Sequence, residues 1–183
     1  GGAALTRLTD AMRARSFRVL GEIVPHGGTA QVPASHPEWW TYGRDGQRSQ
    51  GFGQAPDYSA PGWQETIHET IRWLTAEWGF EGYRVDVAEG FGVNWKSPTN
   101  GAHVSHSTMG GFLGMLRAIH NGTLDGGCPN PVIIPESAPR PEAAGLAPVT
   151  YTWPLDYRFG DWFAAGMSAE EMRAALTRLL AEE

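Results

Sequence analysis

The sequence predicts an α/β fold built of parallel βα units, on three observations. Helical and strand patterns alternate along the chain. The helices are long enough to carry the chain from one parallel strand to the next, and carboxylates close two of the apolar strands. With 183 residues the chain is ample for one core, yet short of the roughly 250 residues of a complete α/β barrel. Pattern alone leaves a doubly wound sheet and a (β/α) barrel equally open.

Taken in order, Leu5, Leu8 and Met12 recur at helical spacing, and 18–24 reads as a strand. Residues 27–58 carry Gly, Pro, Ser and Asp without a period, which predicts a long loop or small subdomain. Ser59 and Pro61 then supply a helix start. Trp63, Ile67, Ile71, Leu74 and Trp78 follow on one face, and Gly79 stands where a C-terminal cap belongs. Residues 83–88 form a short strand, followed by an irregular loop over 89–106. Phe112, Met115, Leu116 and Ile119 mark another helix, which Asn121-Gly122 is expected to close. Residues 131–136 are apolar and β-branched and read as a strand; 148–153 is a weaker one. Ser168 and Glu171 make a capping box ahead of Met172, Leu176, Leu179 and Leu180.

Composition narrows the function classes. At 41% hydrophobic and 19% charged, the chain is an ordinary globular one. A net charge of -6 argues against nucleic acid and anionic membrane as partners, since both reward clustered Lys and Arg. No run approaches the ~18 apolar residues of a membrane span. Cys128 stands alone, so no internal disulfide forms, and nothing assigns a compartment. The eight Trp residues tilt weakly toward carbohydrate, because Trp stacks on sugar rings as well as filling cores. His103 and His106 lack a third ligand and read as loop histidines, and no metal site is expected.

The chemistry concentrates at two strand ends. In Gly82-Tyr83-Arg84-Val85-Asp86, side-chain alternation puts Arg84 and Asp86 on one face and Val85 on the other. The guanidinium favours the ionised form of Asp86, as a nucleophile requires; a structural ion pair is the plainer alternative. In Val132-Ile133-Ile134-Pro135-Glu136, a carboxylate ends an apolar strand, where α/β folds place their ligand sites. Apolar surroundings there favour the protonated acid, although a helix-capping or loop-bonding Glu has the same appearance. Two carboxylates on neighbouring strand tips, one ionised and one able to donate a proton, are the equipment of glycoside hydrolysis.

Gly82-Tyr83-Arg84-Val85-Asp86 resembles the fourth-strand motif of the α-amylase superfamily, glycoside hydrolase family 13. Ile133-Ile134-Pro135-Glu136 resembles its fifth-strand motif, and Gly21-Glu22-Ile23-Val24-Pro25-His26 its third. Asp57-Tyr58-Ser59-Ala60-Pro61 resembles the segment before the helix that precedes the fourth strand. Tyr151-Thr152-Trp153-Pro154-Leu155 looks like the sixth strand. The resemblance implies a (β/α)8 TIM barrel, of which 1–183 would be a part running from about helix 2 to helix 6. It implies Asp86 as nucleophile, Glu136 as acid/base, Arg84 as partner of the nucleophile and His26 as a sugar ligand. In such a barrel Trp39, Trp40 and Tyr42 of the long loop would form a sugar-stacking platform, unless they are that loop's own small core. Trp95 would line the aglycone side.

The departures from the family are specific. Its third-strand Asp and Asn fall on Gly21 and Pro25. That Asn often binds the structural calcium of α-amylases, so no cofactor is expected here. The Lys-His pair of starch-cleaving members is absent after Asp86, and the chain holds no counterpart of the seventh-strand His-Asp motif. The expectation is a retaining enzyme of carbohydrate metabolism, acting on an oligo- or polysaccharide or an α-glucoside by hydrolysis or transfer. The alternatives are a non-catalytic carbohydrate- or protein-binding relative, or an inactive truncated barrel.

Overall fold

The computed structural model describes residues 2–25, 35–43, 45–48, 56–86, 93–94, 106–107, 111–136, 143, 145–147, 166–171 and 173–174. Two compact units result, Gly1–Tyr151 and Thr152–Glu183. The first unit runs α1 (Gly2–Arg13), β1 (Gly21–Ile23), α2 (Pro61–Trp78), β2 (Gly82–Val85), β3 (Val93–Asn94), β4 (His106–Ser107), α3 (Phe112–Asp125) and β5 (Val132–Pro135).

Strands β1, β2 and β5 form a parallel sheet in that order. Its register pairs Gly21 with Tyr83, Glu22 with Arg84 and Ile23 with Val85, and on the other side Arg84 with Ile134 and Val85 with Pro135. The predicted parallel βα arrangement is therefore present, and among the described residues the sheet stays at three strands without closing into a barrel. Strands β3 and β4 pair antiparallel as a two-stranded ribbon inside the second loop, which had been expected to be irregular.

Strand β1 is shorter than the predicted 18–24. Arg18 lies ahead of it, pairing with Glu81 at 3.6 Å and donating to the carbonyl of Asn130, so it ties the approaches to all three strands together. On α1 the stripe of Leu5, Leu8 and Met12 is not the buried face: Leu8 is 57% exposed and Thr9 is buried instead. The Thr9 hydroxyl donates to the Trp78 carbonyl at 2.8 Å, one of the helix-end acceptors that have no partner within their own helix.

Helix α2 starts at Pro61 as predicted, although Ala60 rather than Ser59 precedes it as N-cap. Gly79 ends it in the left-handed conformation at φ 69°. Ser59 instead donates its backbone N–H and its hydroxyl to buried Asp57, at 2.9 and 2.5 Å. Trp63, Ile67, Ile71 and Thr75 are its buried positions. Thr75 takes the inward place between half-buried Leu74 and Trp78 because its hydroxyl meets that of Tyr83 at 3.0 Å. Burial pushes the Tyr83 phenol up to about 12.

Helix α3 runs through Asn121-Gly122 to Asp125, four residues beyond Asn121, where the sequence reading closed it. Gly122 is a packing residue rather than a cap: a methyl there would lie 2.5 Å from the His68 carbonyl of α2. His68 also meets Asp125 at 2.9 Å, a second tie between the two helices. Gly82 opens β2 at φ 151°, and a Cβ on it would fall 1.9 Å from the Val132 carbonyl, so only glycine fits between β2 and β5. Tyr83, Val85 and Ile133 join Trp63, Ile71, Met115, Leu116 and Ile119 in one core, placed between the sheet and the two helices.

In the second unit, the predicted capping box is present. The Ser168 N–H donates to Glu171 at 2.7 Å, and the Glu171 N–H returns to the Ser168 hydroxyl at 3.3 Å. The candidate strand 148–153 and the residues Met172, Leu176, Leu179 and Leu180 lie outside the described residues.

Candidate active site

Alternation along β2 determines the site. Tyr83 and Val85 face the helices and are buried, which sends Arg84 and Asp86 to the opposite face of the sheet. Asp86 directly follows β2, and its N–H donates to the Ile23 carbonyl of β1 at 2.9 Å. Glu136 directly follows β5, and its N–H donates to the Val85 carbonyl of β2 at 2.8 Å. Each carboxylate is thus fixed by a sheet hydrogen bond at the carboxyl end of its strand, on the two strands that are neighbours.

The two acids share one cation. Arg84 Nη1 lies 3.6 Å from Asp86 Oδ1, and Nη2 lies 3.4 Å from Glu136 Oε2. The Glu136 side chain is only 3% exposed, whereas that of Asp86 is 24% exposed. A buried carboxylate is tolerated when a cation and hydrogen bonds accompany it. The structure thus brings together three of the predicted site residues: Arg84, Asp86 and Glu136.

Two residues at this centre were not anticipated. Glu22 of β1 accepts from Arg84 Nη1 at 2.7 Å, closer than Asp86 or Glu136 stands to this guanidinium. The signal for it was a lone acid within an apolar strand, but linking it to Arg84 requires the β1–β2 register. Tyr58, ahead of α2, is fully buried. Burial first, and the negative charge of Asp86 second, hold its hydroxyl far above the ordinary tyrosine range, so it stays a neutral hydrogen-bonding group near the carboxylate.

The loop aromatics pack inward. Trp40 is 5% exposed within the core, with the Arg48 guanidinium 4.4 Å above its ring. Trp40 thus belongs to the core cluster that also holds Trp63 and Met115. Trp39 is half-buried, stacked on His36 at 3.8 Å and 6.1 Å from Trp63. Tyr42, also half-buried, donates its hydroxyl to the Pro37 carbonyl at 3.0 Å. His26 and Trp95 lie outside the described residues. At the position of the family's calcium-binding Asn stands buried Pro25, whose side chain has no donor atom for a metal.

No protein-family model matches the chain, and no curated protein does. Solved structures do. The chain is similar to a noncanonic maltogenic α-amylase, AmyB, from Thermotoga neapolitana, with a TM-score of 0.59 and 19% identity. That likeness covers 94% of this chain and 37% of AmyB. It is also similar to an α-amylase from Malbranchea cinnamomea, with a TM-score of 0.53 and 10% identity over 98% of this chain and 39% of the other. At such identities the likeness is one of fold: the chain has the architecture of part of an α-amylase and spans well under half of either protein.

Proposed function

We propose that this chain carries the nucleophile and the acid/base of a retaining enzyme that cleaves or transfers α-glycosidic bonds. The observation that carries the reading is the sharing of Arg84 by Asp86 and Glu136 at the carboxyl ends of adjacent parallel strands. The α-amylase-like fold supports it, and so does the resemblance of both strand-end motifs to those of the superfamily. The two solved structures bear α-amylase names, and an α-glucan or α-glucoside is accordingly the substrate class proposed.

In this mechanism Glu136 gives its proton to the glycosidic oxygen as that bond to the anomeric carbon breaks. Asp86 attacks the same carbon from the opposite face, forming a glycosyl ester. Glu136, now a carboxylate, takes a proton from water or a sugar hydroxyl. That oxygen attacks the anomeric carbon and releases Asp86. Arg84 spreads positive charge between the two acids, so that both can stand close together without mutual repulsion dominating. His26 would bind the sugar in the cleavage subsite, with Trp39, Tyr42 and Trp95 offering ring contacts further along. No cofactor enters the scheme.

The test is covalent trapping on the protein that carries this chain. A 5-fluoro glycosyl fluoride should leave one glycosyl unit on the peptide containing Asp86, detected by mass spectrometry, and Asp86→Asn should abolish both trapping and turnover without unfolding the protein. Substantial activity in Asp86→Asn would overturn the assignment. Glycan binding without turnover in the unmodified protein would instead favour the non-catalytic relative.

A further inference from the structure

We propose that Glu65, His68 and Glu69 of α2 form a binding site for a divalent transition-metal ion of the zinc class, with Asp125 of α3 orienting the histidine. The three residues stand at i, i+3 and i+4, which places them on one face of the helix. One carboxylate oxygen from each glutamate and one ring nitrogen of His68 lie within 4.8 Å of one another. Both glutamates are exposed, whereas the His68 side chain is 20% exposed. Zinc holds such ligands at roughly 2.0–2.1 Å, hence about 3.3 Å apart in a tetrahedron, a spacing that exposed glutamates reach by turning their side chains.

The histidine, more than the acids, points to a metal. Asp125 Oδ2 lies 2.9 Å from His68 Nε2, and a carboxylate only accepts, so Nε2 carries the hydrogen. In the neutral ring Nδ1 then turns its lone pair toward Glu69 Oε1, 3.2 Å away, with the Glu65 carboxylate beside them. Three electron-rich atoms converge, and a cation among them removes the repulsion. A carboxylate on the far nitrogen of the imidazole is how proteins orient a histidine that binds a metal. Asp125 belongs to a different helix, and the close α2–α3 approach at Gly122 against the His68 carbonyl sets its place. Arg72 takes the other oxygen of Glu69, at 2.6 and 3.0 Å, which leaves Oε1 on the His68 side. That hydrogen bond holds the Glu69 carboxyl below its ordinary range, so the ligand is ionised when the metal arrives. One imidazole nitrogen with two carboxylates suits zinc, whereas calcium takes oxygen ligands and would leave the ring unused. Helices α2 and α3 cover the face of the sheet opposite Arg84 and Asp86, so the ion would brace the two helices and take no part in the chemistry.

The experiment is calorimetric titration of Zn2+ into the chelator-stripped protein that carries this chain, compared with three variants. His68→Gln should lose one equivalent of bound zinc. Asp125→Ala should weaken that equivalent about 10- to 100-fold, the usual effect of removing the group that orients a metal-binding histidine. Glu65→Gln, at an exposed position where folding is not at stake, should weaken it as well. Zinc should raise the thermal midpoint of the unchanged protein and not that of His68→Gln, because only a site present in the folded state stabilises it. Excess Ca2+ should leave the zinc isotherm in place. No saturable zinc binding, the same stoichiometry and affinity in His68→Gln, or displacement of zinc by equimolar Ca2+ would each overturn the inference; the last would mark a cluster of acids that holds any dication. None of these results bears on Asp86 or Glu136, whose assignment stands or falls with the trapping experiment.

Discussion

Replacing Gly122 with alanine puts the α2–α3 interface to a test in which the sign of the answer decides. In an unencumbered helix interior, Gly→Ala stabilises by about 1 kcal/mol, through reduced backbone entropy in the unfolded chain and better helix propensity. Here the added methyl would sit 2.5 Å from the His68 carbonyl and 3.1 Å from both Cβ and Cγ2 of Ile71. A carbon rests about 3.3 Å from a carbonyl oxygen even in a close C–H contact, so α3 must withdraw by roughly 0.8 Å. That withdrawal loosens Met115, Leu116 and Ile119 against Ile67 and Ile71, all buried in one core. Overpacking of this kind costs about 1–3 kcal/mol. Set against the propensity gain, the net is a destabilisation of about 1 kcal/mol. The assay is the urea midpoint at constant slope, with a thermal midpoint expected to fall about 2–4 °C for a domain of this size. A midpoint that rises by about 1 kcal/mol would show that the two helices do not approach at Gly122. The description of how α3 is seated ahead of β5, the strand that leads to Glu136, would fall with it.

Two other outcomes follow from the site and the second unit. Arg84→Met should abolish turnover and destabilise the fold by about 1–3 kcal/mol, because Glu136, with its side chain 3% exposed, loses its guanidinium partner. Most of that loss belongs to Glu136, since the more exposed Glu22 pair contributes about 1 kcal/mol at most; a variant with unchanged urea midpoint would refute the shared-cation geometry. In the capping box, hydrogen bonds from the Ser168 side chain and then its backbone hold the Glu171 carboxyl below its ordinary value. Its support for the helix start is therefore present above the unfolded glutamate value near 4.3 and is lost as pH falls through the lower folded one. Carboxyl titration by NMR should show that midpoint moving up toward the ordinary value in Ser168→Ala, short of it because the backbone N–H still donates, and an unmoved midpoint would dismiss the capping role.

Much of the fold was legible because local rules are strong where they apply. Trp63, Ile67 and Ile71 at helical spacing, with Pro61 before and Gly79 after, specify α2 almost to the residue, since periodicity and capping act within a few residues of chain. The same holds for the Ser168–Glu171 box. The misreadings occurred where a distant segment overrode the local signal. Leu8 faces outward because Thr9 has a helix-end carbonyl to satisfy. Gly122 looked like a stop because glycine after asparagine usually is one, while here it makes room for a neighbouring backbone.

The site divides along the same line. By itself the sequence determined which carboxylates close which strands and that Arg84 and Asp86 share a face, because strand alternation has a period of two and needs no partner. Only the tertiary structure decided that β2 lies between β1 and β5, that Arg84 therefore touches Glu22 and Glu136 as well as Asp86, and that Trp40 is core. Register and strand order are set by how the apolar faces of α2 and α3 pack on the sheet, and that packing depends on contacts between residues far apart in the chain.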